Sequence, residues 1–155
     1  MSLKEELMNE QVSHLDLSGF CQIASGTAVR QSLANMRQNK TNVCLVTKDN
    51  ELVGIFTERD VLTKVATNPA NLDVAVDEIM TPNPITVAPE TSAADALWLM
   101  DAKQFRNLPV VNKNGRIVGN MTHQAVISFL AARYPVEVLN RPPRPDLFPR
   151  KQEGG

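Results

Sequence analysis

The stretch from Asn42 to Thr57 returns as Asn107 to Thr122, shifted by 65 positions, and this repetition constrains the chain more than any other feature. Identical pairs are Asn42/Asn107, Val46/Val111, Lys48/Lys113, Val53/Val118, Gly54/Gly119 and Thr57/Thr122. Each copy is one supersecondary unit that cannot bury its own apolar face, so the copies must share or exchange core. At 155 residues they fit one compact domain, or two half-domains on a common core, burying about 70% of the unfolded surface.

The repetition extends upstream, where Thr27–Met36 matches Thr91–Met100 at an offset of 64. The stripes Val29, Leu33, Met36 and Ala93, Leu97, Met100 follow i, i+4, i+7, which sets one apolar helical face in each copy. Thr27 and Thr91 are the expected N-caps. Two apolar runs follow in each copy: Val43–Thr47 and Leu52–Thr57 around Lys48–Asn50, then Leu108–Val111 and Arg116–Thr122 around Lys113–Gly115. Asn-Gly between β-branched runs is a hairpin signal. A second helix closes each copy, with Val61, Leu62, Val65 and then Val126, Ile127, Leu130 as its expected apolar face. Helix–strand–strand–helix, twice, predicts an α/β fold, an α+β sandwich in which neither half buries its sheet alone.

Between the copies, Ala66–Pro89 carries Pro69, Pro82, Pro84 and Pro89 and predicts an ordered connector with extended pieces rather than a helix. Ile85–Val87 reads as a short strand, echoed by Cys21–Ile23 before the first copy. Leu3–Val12 has weak amphipathic helical character, and Arg141–Pro145 with Pro149 predicts an extended arm, either solvated or partner-binding. The expected organisation is an N-terminal segment at 1–14, a first repeat at 15–70, a second repeat with its connector at 71–134 and a proline-rich tail at 135–155.

A net charge of -1 argues against a dedicated nucleic-acid or membrane-surface binder. No apolar run approaches the ~20 residues of a membrane span and no leader is visible, so the expectation is a cytoplasmic protein. Cys21 and Cys44 have no metal or redox spacing and read as buried small hydrophobes, with no disulfide framework. Nucleophile elbow, zinc spacing and P-loop are all missing, so the chain does not read as an enzyme.

The segment Gly54–Asp60 runs from a strand into a helix and supports two readings. One is a capping box, with Thr57 as N-cap and Asp60 three positions on. The other is a ribose clamp: a carboxylate accepts hydrogen bonds from both ribose hydroxyls, Thr57 adds a contact, the helix N-terminus favours phosphate and Arg59 can neutralise it. Gly54 would allow close backbone approach.

Two copies of helix–strand–strand–helix, each with Gly54-x-x-Thr57 or Gly119-x-x-Thr122, joined by Ile79–Val87, resemble a tandem cystathionine-β-synthase (CBS) domain pair, a Bateman module of the stand-alone bacterial type. Leu108–Val111 followed by Gly115–Gly119 is also similar to that family, and the resemblance covers Leu15 to Arg133. It implies two βαββα units about a pseudo-twofold axis, clefts for adenosine derivatives, frequent homodimers and regulation of another protein. Carried over, Asp60 is the ribose carboxylate and Thr57 its hydroxyl. Met80, Ile85 and Phe105 enclose the base, and Arg59 or Arg106 faces phosphate. Ile85 and Phe105 read equally well as core. The second copy ends Gly119-Asn-Met-Thr122-His-Gln-Ala125 and keeps the threonine without the carboxylate. Its cleft, flanked by Thr122, Gln124, Cys21, Ile23, Thr41 and Asn42, is therefore expected to be weak, empty or altered. His123 could contact phosphate there or be a plain surface residue, and His14 carries no signal.

The functional expectation is an adenosine-nucleotide-sensing regulatory module that responds to energy state or ligand and acts on an unidentified partner through conformation or dimer assembly. AMP, ADP or ATP are the expected ligands, with NAD or S-adenosylmethionine as further options. No cofactor is obligatory. The alternative is a ligand-free dimerisation scaffold, motivated by Trp98, Leu99 and Phe129 as apolar surface beyond the repeated stripes.

Overall fold

Two hairpins at the repeated stretches organise the chain. A computed structural model describes residues 2–133. In order it contains α1 (Leu3–Asn9), β1 (Cys21–Ala24), α2 (Val29–Gln38), β2 (Val43–Lys48), β3 (Glu51–Thr57), α3 (Glu58–Asp60) running into a π-helical turn at Val61–Val65, β4 (Thr81–Pro82), α4 (Ala93–Lys103), β5 (Asn107–Val111), β6 (Ile117–Thr122) and α5 (His123–Arg133). Single 3-10 turns lie at Val12–His14, Pro69–Asp73 and Val76–Glu78. The fold is mixed α/β, with two βαββα-like repeats. The proline-rich arm expected at 135–155 lies outside the described residues.

In the first repeat, β1 runs parallel to β2 with Cys21 opposite Cys44, β2 is antiparallel to β3, and β3 is antiparallel to the short β4. In the second, β5 and β6 pair antiparallel and Val87 bridges Val110 in parallel. Ile85–Val87 is thus reduced to that bridge, with Ile85 exposed. The prolines around it remove the backbone donors that a continuous strand needs.

The cores are exchanged by the segment that leads into each copy. Val76 and Ile79, from the connector, are buried with Cys21, Ile23, Val29, Cys44, Val46, Phe56 and Val65 of the first repeat. Leu7, Val12, Leu15 and Leu17, from the N-terminus, are buried with Ala93, Ala96, Met100, Leu108, Val110, Met121 and Val126 of the second. Matching hydrogen bonds fix both crossings. The Val76 amide donates to the Thr27 carbonyl at 2.7 Å, and the Val12 amide donates to the Thr91 carbonyl at 2.8 Å. A third cluster, Val43, Leu45 and Ile55 with Phe20, Leu52 and Ile117, lies on the opposite face of the first sheet and joins the repeats.

These crossings shift the helix caps. Ala28, with no side-chain cap, is the N-cap of α2, and Ser92, whose hydroxyl accepts from the Asp95 amide, is that of α4. Thr27 and Thr91 stand one residue earlier, their carbonyls taken by the incoming segments. The N-terminal helix ends at Asn9 rather than Val12, and Val12 is completely buried. Two residues expected on buried faces are exposed, Leu62 at 61% and Ile127 at 56%. Neighbours in sequence sit about 100° apart around a helix, so Ile127 turns away beside the buried Val126, and Leu62 turns away beside Val61, which packs on the first core. Leu99 and Phe129 pack against the second core and are not surplus surface, whereas Trp98 is 75% exposed.

Asp77 ties the connector to the turn after β1. Its carboxylate accepts from the Gly26 amide at 2.7 Å and from the Ser25 hydroxyl. The Ser25 bond, then the Gly26 amide and the Lys48 charge, hold its carboxyl below the ordinary aspartate range. A folded-state value below the unfolded one stabilises above the unfolded value, and the contribution is lost as pH falls through the folded value. Asp77→Asn is therefore expected to cost about 1 kcal/mol at neutral pH. The gap to wild type should close below about pH 4 in urea melts taken across pH.

Candidate functional site

The turn from β3 into α3 places Thr57 and Asp60 as the sequence predicts. Thr57 is the N-cap and forms a capping box with Asp60, whose Oδ2 accepts from the Thr57 amide at 3.0 Å. Asp60 is 7% exposed, one of few buried charged or polar residues among those described. Its Oδ1 faces Lys64 Nζ at 3.2 Å, and the same ammonium donates to the Ile79 carbonyl at 2.7 Å. Lys64 thus joins the carboxylate of the first repeat to the segment leading into the second. Its sequence signal is the spacing alone, a cation four residues after a carboxylate on a helix. Carboxylate oxygens carry about four acceptor sites between them, so Asp60 keeps capacity beyond these two contacts. Capping box and clamp are compatible readings of one side chain.

Met80 lies against β3 at Gly54, upstream of the turn. A Cβ added to Gly54 would fall 2.2 Å from Met80 Sδ, so only glycine lets that side chain lie on the strand. The chain then pairs Thr81 with Ile55 and Pro82 with Gly54. Arg59 is exposed on α3, and Ile85 is exposed on the connector.

Antiparallel register redistributes other candidates. Each hairpin begins beside its own end: Val43 pairs with Thr57, and Asn107 with Thr122. Thr41 and Asn42 therefore stand at the Asp60 end, where the Asn42 carbonyl accepts from the Glu58 amide at 3.1 Å, and not at the cleft of the second copy. Phe105 and Arg106 immediately precede Asn107 and stand at the Thr122 end. Phe105 packs on the second core and Arg106 is exposed. Strand alternation turns Cys21 and Ile23 into the first core, leaving Gln22 and Ala24 outward.

The turn of the second copy keeps half of the first copy's device. Thr122 Oγ1 accepts from the Ala125 amide at 3.1 Å. Ala125 replaces the carboxylate, and Phe129, packed on the core, stands where Lys64 does in the first copy. Acid and cation are replaced together. Gln124 is exposed and its amide reaches Ser128, and His123 is exposed at the start of α5. Asn120, equivalent to Ile55, is fully buried. Its Nδ2 donates to the Gly19 carbonyl and to Asn107 Oδ1, while its Oδ1 has no partner among the described residues. This polar-for-apolar exchange, Ile55 against Asn120, is visible when the two copies are aligned.

Among the described residues, no group of three or more His, Cys, Asp or Glu could hold a metal, and no helix is long and apolar enough to cross a membrane.

The family model of the CBS domain matches residues 5–67 and again 76–132. The chain belongs to the CBS domain family and carries a tandem pair, a Bateman module. It is similar to the CBS domain-containing protein CBSCBSPB5 of Arabidopsis thaliana, 35% identical over 121 residues, covering 76% of this chain and 22% of that protein. The chain spans about a fifth to a quarter of the length of that protein and of the similar Arabidopsis relatives. An uncharacterized conserved protein from Pyrococcus horikoshii has the same fold, with a TM-score of 0.74 at 22% identity over 83% of this chain and 97% of that one. A CBS domain protein from Pyrobaculum aerophilum, solved in complex with AMP, superposes with a TM-score of 0.69 at 23% identity, over 80% of this chain and 99% of that one.

Proposed function

We propose that this CBS pair is an adenosine-nucleotide-binding regulatory module with one competent cleft, at Asp60. The observation that carries the reading is a buried carboxylate at a strand-to-helix turn, with acceptor capacity left and the lead-in of the other repeat beside it. Asp60 receives the ribose hydroxyls, Thr57 adds its own, and Met80 covers one side of the base. The backbone around Thr41 and Asn42 is within the same end of the hairpin and reads the base edge. Arg59 faces phosphate, and Ile85 flanks the opening from the connector. The Ala125 cleft, with Thr122 and Gln124, has no carboxylate and binds weakly or not at all. The AMP complex of the Pyrobaculum relative supports adenine nucleotides as the first ligands to test.

A ligand shifts a conformational equilibrium only by its differential affinity for two states. Lys64 spans Asp60 and the Ile79 carbonyl, so occupancy at Asp60 acts directly on the connector, and the regulated protein responds to that change. Isothermal titration with AMP, ADP, ATP, NAD and S-adenosylmethionine tests the reading. At least one should bind, with a single tight site per chain. Folded protein that binds none of them overturns it.

The scaffold reading is favoured by one observation, the 75% exposure of Trp98. Hollows of about 480 Å³, beside Leu3, Leu7 and Met8, and about 570 Å³, beside His123, Val126 and Ile127, flank its ring. A homodimer seated on this face is expected to dissociate in Trp98→Glu, because a central aromatic anchor is worth 2 kcal/mol or more, roughly thirtyfold in Kd. Sedimentation equilibrium reads it. A variant that dimerises as wild type does removes Trp98 from the contact.

A further inference from the structure

Cys21 and Cys44 have no part in the nucleotide reading, yet β1 and β2 hold them face to face. They are directly paired across parallel strands, both side chains point into one core, and their sulfurs lie 2.7 Å apart. Neighbouring strands set their Cα atoms about 4.8 Å apart, inside the 4.4–6.8 Å range that a disulfide spans (about 5.5–6 Å being commonest). Neither the strand spacing nor the direction of the two side chains forbids a bond between the sulfurs. We propose that Cys21 and Cys44 form a peroxide-oxidisable dithiol that closes to a disulfide stapling β1 to β2.

The two thiols have unequal roles. Cys21 is 7% exposed and Cys44 is fully buried, so a small oxidant meets Cys21 first. The hydrogen bond between the two thiols lowers the Cys21 thiol below its ordinary range, while that bond and burial raise Cys44. The Cys21 thiolate attacks one oxygen of hydrogen peroxide. The O–O bond breaks, hydroxide leaves and takes up the thiol's proton as water, and Cys21 becomes a sulfenic acid. Cys44 sulfur then attacks Cys21 sulfur. The S–O bond breaks, and the departing hydroxide takes the Cys44 proton to form a second water. Both sulfurs are oxidised and the peroxide is reduced, so the step balances without another reagent. The closed loop encloses α2, whose Val29 and Met36 pack in the same core, and the staple fixes β1 directly after Phe20, a residue of the contact between repeats.

The native full chain is treated with hydrogen peroxide, quenched, denatured, alkylated with N-ethylmaleimide and weighed intact. The expected product is a monomer-mass chain lighter by two hydrogens that carries no maleimide, and dithiothreitol restores both adducts. In Cys44→Ser, dimedone should trap Cys21 as its sulfenic acid, and in Cys21→Ser, Cys44 should stay alkylatable. Two retained maleimides after peroxide exposure overturn the proposal. So does wild-type Cys21 proceeding to sulfinic acid with Cys44 still alkylated, or a product that links two chains. The wild-type measurement decides the matter even if a variant does not fold.

Discussion

Asp60→Ala is expected to weaken the best-binding adenine nucleotide about a hundredfold in titration calorimetry while the chain remains folded. Hydrogen bonds to a charged group contribute about 1.5–3 kcal/mol each, so two ribose hydroxyls on the carboxylate set a ceiling of about 3–6 kcal/mol. Asp60 already accepts from the Thr57 amide and faces Lys64, and part of that pairing rearranges on binding. A net loss of about 3 kcal/mol, or a hundredfold, is the result. The folding cost is smaller. Losing the Asp60 half of the capping box costs about 1 kcal/mol, and Lys64, 42% exposed, regains water when its partner goes. Asp60→Asn keeps shape and one acceptor but removes the charge, and belongs between the two. Gln124→Ala, at the second turn, should leave the tight site unchanged. Full affinity in a folded Asp60→Ala would exclude the carboxylate as ribose ligand even if a nucleotide binds elsewhere.

The second copy sharpens the same argument. Restoring only its acid, as Ala125→Asp, would complete the capping box with Thr122, whose hydroxyl already accepts from that amide. The new carboxylate would have Phe129 in place of a cation, packed on the core. A buried acid with no countercharge stays costly, so the exchange of the pair explains the asymmetry better than loss of one residue.

The 65-residue spacing made the hairpins and both turns legible, because identities concentrate where backbone approach and capping demand particular side chains. Less legible was the exchange of lead-in segments. Val12 and Val76 occupy equivalent places 64 positions apart, as do Leu15 and Ile79. These segments keep only apolar character, not identity, since a buried aliphatic position tolerates exchange. Their partners lie far away in sequence, and no local period points to them. The faces of the closing helices are less legible for a different reason: an apolar residue beside an inward one, as with Leu62 and Ile127, looks like a wider stripe in sequence but lies on a different side of the helix. For the candidate site, the turn itself was readable from Thr57 and Asp60. The company it keeps was not, because antiparallel pairing, invisible in a linear comparison, brings Asn42 to Glu58 and removes Phe105 to the other turn.

Gly119→Ala is expected to destabilise the chain by about 3 kcal/mol, at the upper end of overpacking costs, whereas Gly54→Ala, at the equivalent strand position, should cost about 1 kcal/mol. Both glycines lie under a lead-in segment, but what lies on them differs. A Cβ at position 119 would stand 2.3 Å from Leu17 Cβ and 2.8 Å from the Leu17 carbonyl oxygen. Relief requires the backbone to move. That carbonyl accepts from the Asn120 amide at 2.9 Å, and Val12, Leu15 and Leu17 are anchored in the second core. Moving the segment breaks the hydrogen bond and opens the core together. At position 54 the obstacle is the Met80 side chain, whose sulfur would be 2.2 Å away. Methionine has three rotatable bonds and can swing aside. For a chain of 155 residues each kcal/mol is worth about 2–4 °C, so Gly119→Ala should melt about 6–12 °C below wild type and Gly54→Ala a few degrees below. The second difference is functional. Displacing Met80 disturbs the proposed wall of the base at Asp60, so Gly54→Ala should lose nucleotide affinity with little stability, and Gly119→Ala stability with little affinity below its melting point. Equal melting temperatures for the two variants would contradict the reading that backbone anchors one crossing and a single flexible side chain cushions the other.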